Sequence, residues 1–242
     1  MSITSLKPLN LTFPDTWWRR NQMWVTPLLL LIPAMVVFTI FVIIPIFQSV
    51  ALSFYDWDGI NPKKWVGFGN YVELFGDEVF WKAIINNIWW LLAFMLGPVF
   101  GLALALFLNQ NVRGIRLAKS LFFFPFVISQ VVVGLVFGWF FNSQFGLLNE
   151  IIGHFGMEPT ALLEGENTAT FVVILAGLWP QISYCMILYL TGLTAMNSEV
   201  IEAARMDGAK GWNLLWHIIL PQLRPATFIA VVVSVVGALR SF

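Results

Sequence analysis

Charge is absent from long stretches of this chain, and nothing else in the sequence restricts the fold as tightly. Residues 21–55, 83–112, 120–149, 167–198 and 225–239 hold no Asp, Glu, Lys or Arg. A helix that crosses a bilayer needs about 20 apolar residues. The first four runs exceed that, with room for tilt and polar ends. Only 11% of the 242 residues are charged and 59% are hydrophobic, against about a quarter charged in soluble domains. The expected fold class is therefore all-α, a polytopic membrane helical bundle. Spans are expected near 25–53, 84–108, 119–141, 169–193 and 226–242, after a polar tail over 1–24. The first run is far longer than the 7–15 residues of a signal-peptide core, so it reads as an uncleaved helix. The fifth would rise roughly 25 Å, short of a bilayer core of about 30 Å. The chain is thus expected to be cut within its fifth span.

Lys and Arg set the orientation. Lys7, Arg19 and Arg20 lie in the tail. Arg113, Arg116 and Lys119 lie in the second connection, and Arg205, Lys210 and Arg224 in the fourth. These alternate with two acidic loops, 54–83 and 142–168. The N-terminus and the fourth connection are thereby placed in the cytoplasm, and the acidic loops outside. Trp57, Trp65 and Trp81 flank the first outer loop and read as an interfacial aromatic belt.

Catalytic signatures are missing. There is no GxxxxGK[ST] loop, since Gly208-Ala-Lys-Gly211 does not fit. His154 and His217 are too far apart for a Ser-His-Asp set or a metal site, and the single Cys185 sits in an apolar run. No metal, no cofactor in this chain, no nucleic acid and no enzymatic activity are expected. The confident spans carry no carboxylate of the kind proton- or sodium-coupled carriers use. Their polar groups are neutral: Asn86, Asn87, Gln130, Gln181, Ser183 and Tyr184. Arg240 is the one ionisable residue at depth, roughly 20 Å past Pro225 along a regular helix. Aromatics beside amides suit sugars, so Asn87, Trp179, Gln181, Tyr184 and Arg240 are the candidate substrate-path residues. Gly97-xxx-Gly101 and Gly134-xxx-Gly138 are small-residue pairs suited to close helix packing in the bundle.

The fourth connection, 197–225, is a polar island with internal design. Asn197 or Ser198 can cap a helix, with Glu199 and Glu202 in its first turn, where the helix dipole favours them. Ala203 and Ala204 continue it, and Asp207-Gly208 ends it, with Gly208 suited to a left-handed position. A second helix from about Gly211 places Leu214, Leu215, Ile218 and Ile219 near one face and is expected to stop before Pro221. The result is a cytoplasmic helix-turn-helix knob, small enough in its side chains to dock against another protein.

Glu202-Ala203-Ala204, three residues, Gly208, nine residues and Ile218-Ile-Leu220-Pro221 resemble the EAA loop of binding-protein-dependent ABC importers. Gly101-Leu-Ala-Leu-Ala-Leu-Phe-Leu-Asn109, Lys119-Ser-Leu-Phe-Phe-Phe-Pro125 and Phe145-Gly146-Leu-Leu-Asn149 resemble the sugar-permease branch of that family, of the lactose and glycerol-phosphate type. The resemblance covers about 25–242. It implies six spanning helices, of which five are seen here, in a bacterial inner-membrane permease subunit. It further implies ABC ATPase subunits that bind the ATP and receive the coupling residues Glu202, Ala203, Ala204, Asp207, Gly208, Ala209 and Pro221. A second permease chain and an external solute-binding protein complete the implied assembly, in contact with membrane lipid. The solute is expected to be a sugar or, with Arg240 on its path, an anionic polyol phosphate. The rival from another class is an ATP-independent carrier.

Overall fold

In a computed structural model, residues 17–110, 112–165 and 168–240 are described. Most of the expected tail, the bulk of 1–24, lies outside them, as do the last two residues of the expected fifth span. The chain divides into two compact units, one ending at Asp77 and one beginning at Glu78.

The first unit is one long apolar rod and a small cap. α1 (Trp17–Phe38) passes through a π-helical turn (Thr39–Ile43) into α2 (Ile44–Leu52). Pro45 lies two residues beyond the π turn. A proline ring collides with the carbonyl four residues back in an α-helix. The wider turn, closed by the Ile44 amide donating to the Thr39 carbonyl, lets the rod continue. The cap is the two-residue antiparallel ladder of β1 (Tyr55–Asp56) and β2 (Lys64–Trp65), followed by α3 (Gly69–Gly76). Phe54, Tyr55, Trp65, Phe68 and Tyr71 form its ring cluster. Asn70 Nδ2 donates to the carbonyls of Ser53 and Tyr55 at 2.9 and 3.0 Å. Trp57 and Trp65 are therefore built into the loop's own fold. Trp57 donates to the Asn61 carbonyl and carries Lys63 Nζ over its ring at 4.6 Å. At the turn between the strands, the amides of Asn61 and Ile60 and the Asn61 side chain hold the Asp58 carboxyl down at about 2, from an ordinary 3.8.

The second unit is organised around α9 (Thr168–Thr194), which is flanked by α4 (Glu78–Phe94), α5 (Leu96–Leu108), α6 (Ile115–Val127), α7 (Gln130–Phe140) and α13 (Arg224–Leu239). The α5–α9 crossing is closest. A Cβ on Gly101 would stand 2.5 Å from Cys185 Cβ and 2.8 Å from the Met186 amide nitrogen, and one on Gly97 would be 3.1 Å from the Gln181 side chain. Ala105, Leu108, Cys185, Met186, Tyr189, Leu193, Leu223 and Ala230 fill the core around that crossing. Gly134 and Gly138, at the same spacing on α7, meet nothing within 4 Å.

Where the sequence suggests one span over 119–141, the structure has two helices, α6 and α7, bent by 98°. Ile128 is extended and Ser129 caps α7, its hydroxyl accepting from the Val132 amide at 3.3 Å. A capping serine restarts the helix in a new direction, which hydropathy does not register. By length and composition, 21–52, 78–108 and 168–194 are straight crossing helices, and each of the two bent pairs can add one more. Between α7 and α9, α8 (Leu147–His154) is stapled to the outer loop. Asn149 Nδ2 donates to the carbonyls of Ser143 and Thr160, and its Oδ1 accepts from the Thr160 amide. A Cβ on Gly146 would collide with the Asn142 carbonyl oxygen. Phe145-Gly146-Leu-Leu-Asn149 is thus a loop-folding motif in this chain.

Candidate functional site: a cytoplasmic knob and a membrane cavity

The knob follows α9. Asn197 Oδ1 accepts from the Glu199 amide at 2.9 Å and opens α10 (Ser198–Met206). At the other end the Gly208 amide donates to the Arg205 carbonyl and the Ala209 amide to the Ala204 carbonyl, at 3.1 and 2.9 Å. With Gly208 at φ +89°, this is a Schellman closure, the left-handed stop that glycine makes without a Cβ penalty. Ala204 is buried, while Glu202, Ala203, Asp207 and Gly208 are exposed. One side of α10 therefore offers carboxylates and almost no bulk, and a Cβ on Gly208 would meet open space.

The second half of the knob does not stop before Pro221. α11 (Gly211–Leu214) runs through a π turn (Leu215–Ile219) into α12 (Leu220–Gln222). The Leu220 amide donates to the Leu215 carbonyl and Pro221 follows directly, the same device as at Pro45. Leu214 is buried and Leu215, Ile218 and Ile219 are half-buried. The helix bends by 72° only at Leu223, and α13 begins with Arg224-Pro225. Pro221 thus joins the knob to α13 through continuous helix.

The membrane cavity lies against α9. Its volume is about 610 Å³, and it is lined by Trp90, Phe126, Ser129, Gln130, Gln181 and Tyr184 among others. Gln181 is anchored where α5, α9 and α13 meet. Its Nε2 donates to Ser234 Oγ at 2.8 Å, and Ser234 donates on to the Ala230 carbonyl at 2.7 Å. The Tyr184 ring packs on Phe126 at 5.4 Å.

Of the five path residues suggested by sequence, the structure brings Gln181 and Tyr184 together. Trp179 lies elsewhere, in an apolar cavity of about 420 Å³ with Val136, Phe137, Phe140, Leu175, Leu178 and Ile182. Residues two apart on a helix point about 200° apart, so Trp179 and Gln181 do not share a wall. Three apart they nearly do, as Gln181 and Tyr184 show. Asn87 Nδ2 donates to the Ala83 carbonyl of its own helix at 3.0 Å and does not line the cavity. Arg240 is exposed at the C-cap of α13, one turn past the cavity residue Gly237. Sequence reasoning missed Trp90 and Ser129 and did not select Gln130. The polar Ser129-Gln130 pair inside an apolar run was the available signal. Among the described residues, no group of three or more His, Cys, Asp or Glu could hold a metal ion.

Comparison with known proteins places this geometry. The family model described as "Binding-protein-dependent transport system inner membrane component" matches residues 97–242. A probable ABC transporter permease protein of Bacillus subtilis, YurN, is 37% identical over 92% of this chain and 78% of its own length. The multiple sugar-binding transport system permease protein MsmF of Streptococcus mutans is 32% identical over 88% of this chain and 73% of its own. A subunit of a bacterial ABC transporter that imports the acidic polysaccharide alginate superposes with a TM-score of 0.74, at 24% identity over 93% of this chain and 77% of that one. That likeness is one of fold.

Proposed function

Because the chain belongs to the binding-protein-dependent inner-membrane transport components, we propose that it moves a sugar, with α10 as its coupling element and the Gln181 cavity on its path. It is a permease subunit of an inner-membrane ABC importer, and a transport component rather than an enzyme. Sugar as the solute is supported by relatives named for multiple sugars and for alpha-glucosides. The cavity chemistry agrees with it. Trp90 and Tyr184 offer faces for the apolar side of a pyranose, and Ser129, Gln130 and Gln181 offer hydrogen bonds for its hydroxyls.

The observation that carries the coupling reading is the continuity from an exposed, small-residue knob through Pro221 into α13, whose Val233 and Gly237 line the cavity. Separate ATPase subunits bind ATP and take up Glu202, Ala203, Ala204, Asp207, Gly208 and Ala209. A second permease chain completes the path, and an external binding protein delivers solute. In a solved alginate transporter, a periplasmic protein carrying an alginate pentasaccharide is bound to the complex. Nucleotide drives transport only through unequal affinity for the inward-open and outward-open states, and the knob is the element through which that difference acts. Arg240, one turn beyond the cavity, favours solutes with a negative charge; Asn87 and Trp179 act through packing.

The experiment is co-purification from mild detergent with paired uptake measurements. The wild-type subunit retains an ATPase. Glu202→Lys or Ala203→Trp releases it and abolishes uptake, while membrane insertion is unchanged. Retained ATPase and uptake in both variants overturn the coupling assignment. Gln181→Ala tests the path separately by raising the KM for sugar with the ATPase still bound.

A further inference from the structure

The two halves of the knob differ in charge and in surface. α10 and its C-cap carry Glu199, Glu202 and Asp207 against Arg205 alone. From Ala209 to Arg240 there is no carboxylate, and Lys210 and Arg224, both exposed, bracket the second half. That half also exposes two indoles. Trp212 and Trp216, one turn apart, are 72% and 60% exposed and stack with centroids 6.4 Å apart at 24°. Next to them on the helix lie the exposed Asn213 and His217, with His217 Nδ1 3.1 Å from the Asn213 carbonyl. The segment therefore has three sides: Leu214 and Ile218 toward the protein, a polar edge, and a tryptophan edge.

Its direction matters. Helix 211–222 meets α13 at 72°. If α13 crosses the bilayer, a helix bent that far at its cytoplasmic end runs nearly along the membrane plane. We propose that Trp212 and Trp216 insert into the cytoplasmic leaflet's interface, with Lys210 and Arg224 on anionic headgroups, making the second half of the knob a lipid-anchored pivot. Indoles prefer the headgroup–acyl boundary. A helix with an aromatic edge and flanking cations is the kind that lies in it, and lysine and arginine are attracted to anionic lipid there. The acidic, small-residue α10 is repelled from the same surface. The knob thus divides its labour: α10 faces protein in the cytosol and the Trp edge faces lipid. The inference rests on the membrane orientation given above, and it survives if the ATPase is found to dock elsewhere.

Nitroxide labels at W212C, W216C and M206C test it in the assembled transporter, in nanodiscs of phosphatidylethanolamine and phosphatidylglycerol. Cys185 is fully buried and does not compete for label. Met206 is 88% exposed and serves as the aqueous reference. The expected result is oxygen accessibility several-fold above that at 206 for both tryptophan positions, with exclusion of a water-soluble nickel chelate. Nickel accessibility at 212 and 216 equal to that at 206 overturns the proposal. So does immobilisation that appears only when the ATPase is added in lipid-free detergent, which would make the pair a protein contact. Should the cysteine variants not assemble, brominated-lipid quenching decides. Wild-type protein should lose a fraction of indole emission that W212F/W216F no longer loses, and equal quenching in both overturns it.

Discussion

Small residues do opposite work in two places in this molecule. At the α5–α9 crossing, Gly97, Gly101 and Ala105 let two helices close on each other, and the space they leave is filled by Cys185, Met186 and Tyr189. In the knob, Ala203 and Gly208 leave space that this chain does not fill. One vacancy is consumed in folding, the other is held open for a partner. The sequence writes both with the same letters, so substitution separates them by consequence: added bulk at the crossing should damage the fold, and added bulk on the knob should damage assembly alone.

The largest effect is expected at Gly101. Its missing Cβ faces backbone, which cannot rotate aside, so even Gly101→Ala should cost about 1–3 kcal/mol of overpacking, and Gly101→Leu should prevent stable insertion. Protease resistance and thermal unfolding of the detergent-purified subunit check this. Next comes Ala203→Trp, expected to leave those measures unchanged and to weaken ATPase binding by at least about tenfold, or about 1.4 kcal/mol, in a titration with purified ATPase. A fold defect in this variant would break the comparison. It is a cleaner probe than Gly208→Trp, because any L side chain at φ +89° is strained by about 1–2 kcal/mol before a partner is met. Asn197→Ala should be milder, costing about 1 kcal/mol as the cap of α10 is lost. Amide exchange in 198–206 should speed up while that of α9 holds. Gly134→Ala should do least to this chain's stability. It meets open space, and alanine favours a helix over glycine by up to about 1 kcal/mol. A loss like that at Gly101 would mean that spacing, not contact, decides.

Outside the membrane, Asp58 sharpens the contrast between built and open surface by titration. Its carboxyl is held below the ordinary value by hydrogen bonds that prefer the ionised form. The stabilisation is therefore fully present above about 3.8 and is lost as pH falls through about 2. Carbon NMR of labelled aspartates should show this carboxyl titrating last, and Asp58→Asn should abolish the signal while leaving transport near wild type.

The sequence was most legible where physics is local. Charge-free runs marked the apolar helices, and Asn197, Asp207 and Gly208 marked the ends of α10 by capping chemistry alone. It was least legible where direction matters. Nothing in hydropathy distinguishes one helix over 119–141 from two at 98°, and that bend brings Ser129 and Gln130 to the cavity. Trp179 seemed paired with Gln181 because the two are neighbours in the chain, although helical geometry puts them on different walls. Pro221 looked like a terminus because the usual proline rule assumes α geometry, and a π turn escapes the rule.

The π turn has a consequence for how this segment tolerates insertions and deletions. Surface loops ordinarily accept changes in length. Here the chain from Gly211 to α13 is helical apart from the bend at Leu223, so its residue count also sets a phase. Removing one residue from Leu215–Ile219 would restore regular α winding and turn everything downstream by about 100°. Ser234 would then leave Gln181, and Val233 and Gly237 would leave the cavity wall. Point changes on the exposed edge can drift, but the length between Gly211 and Ser234 is fixed by the phase that α13 must keep.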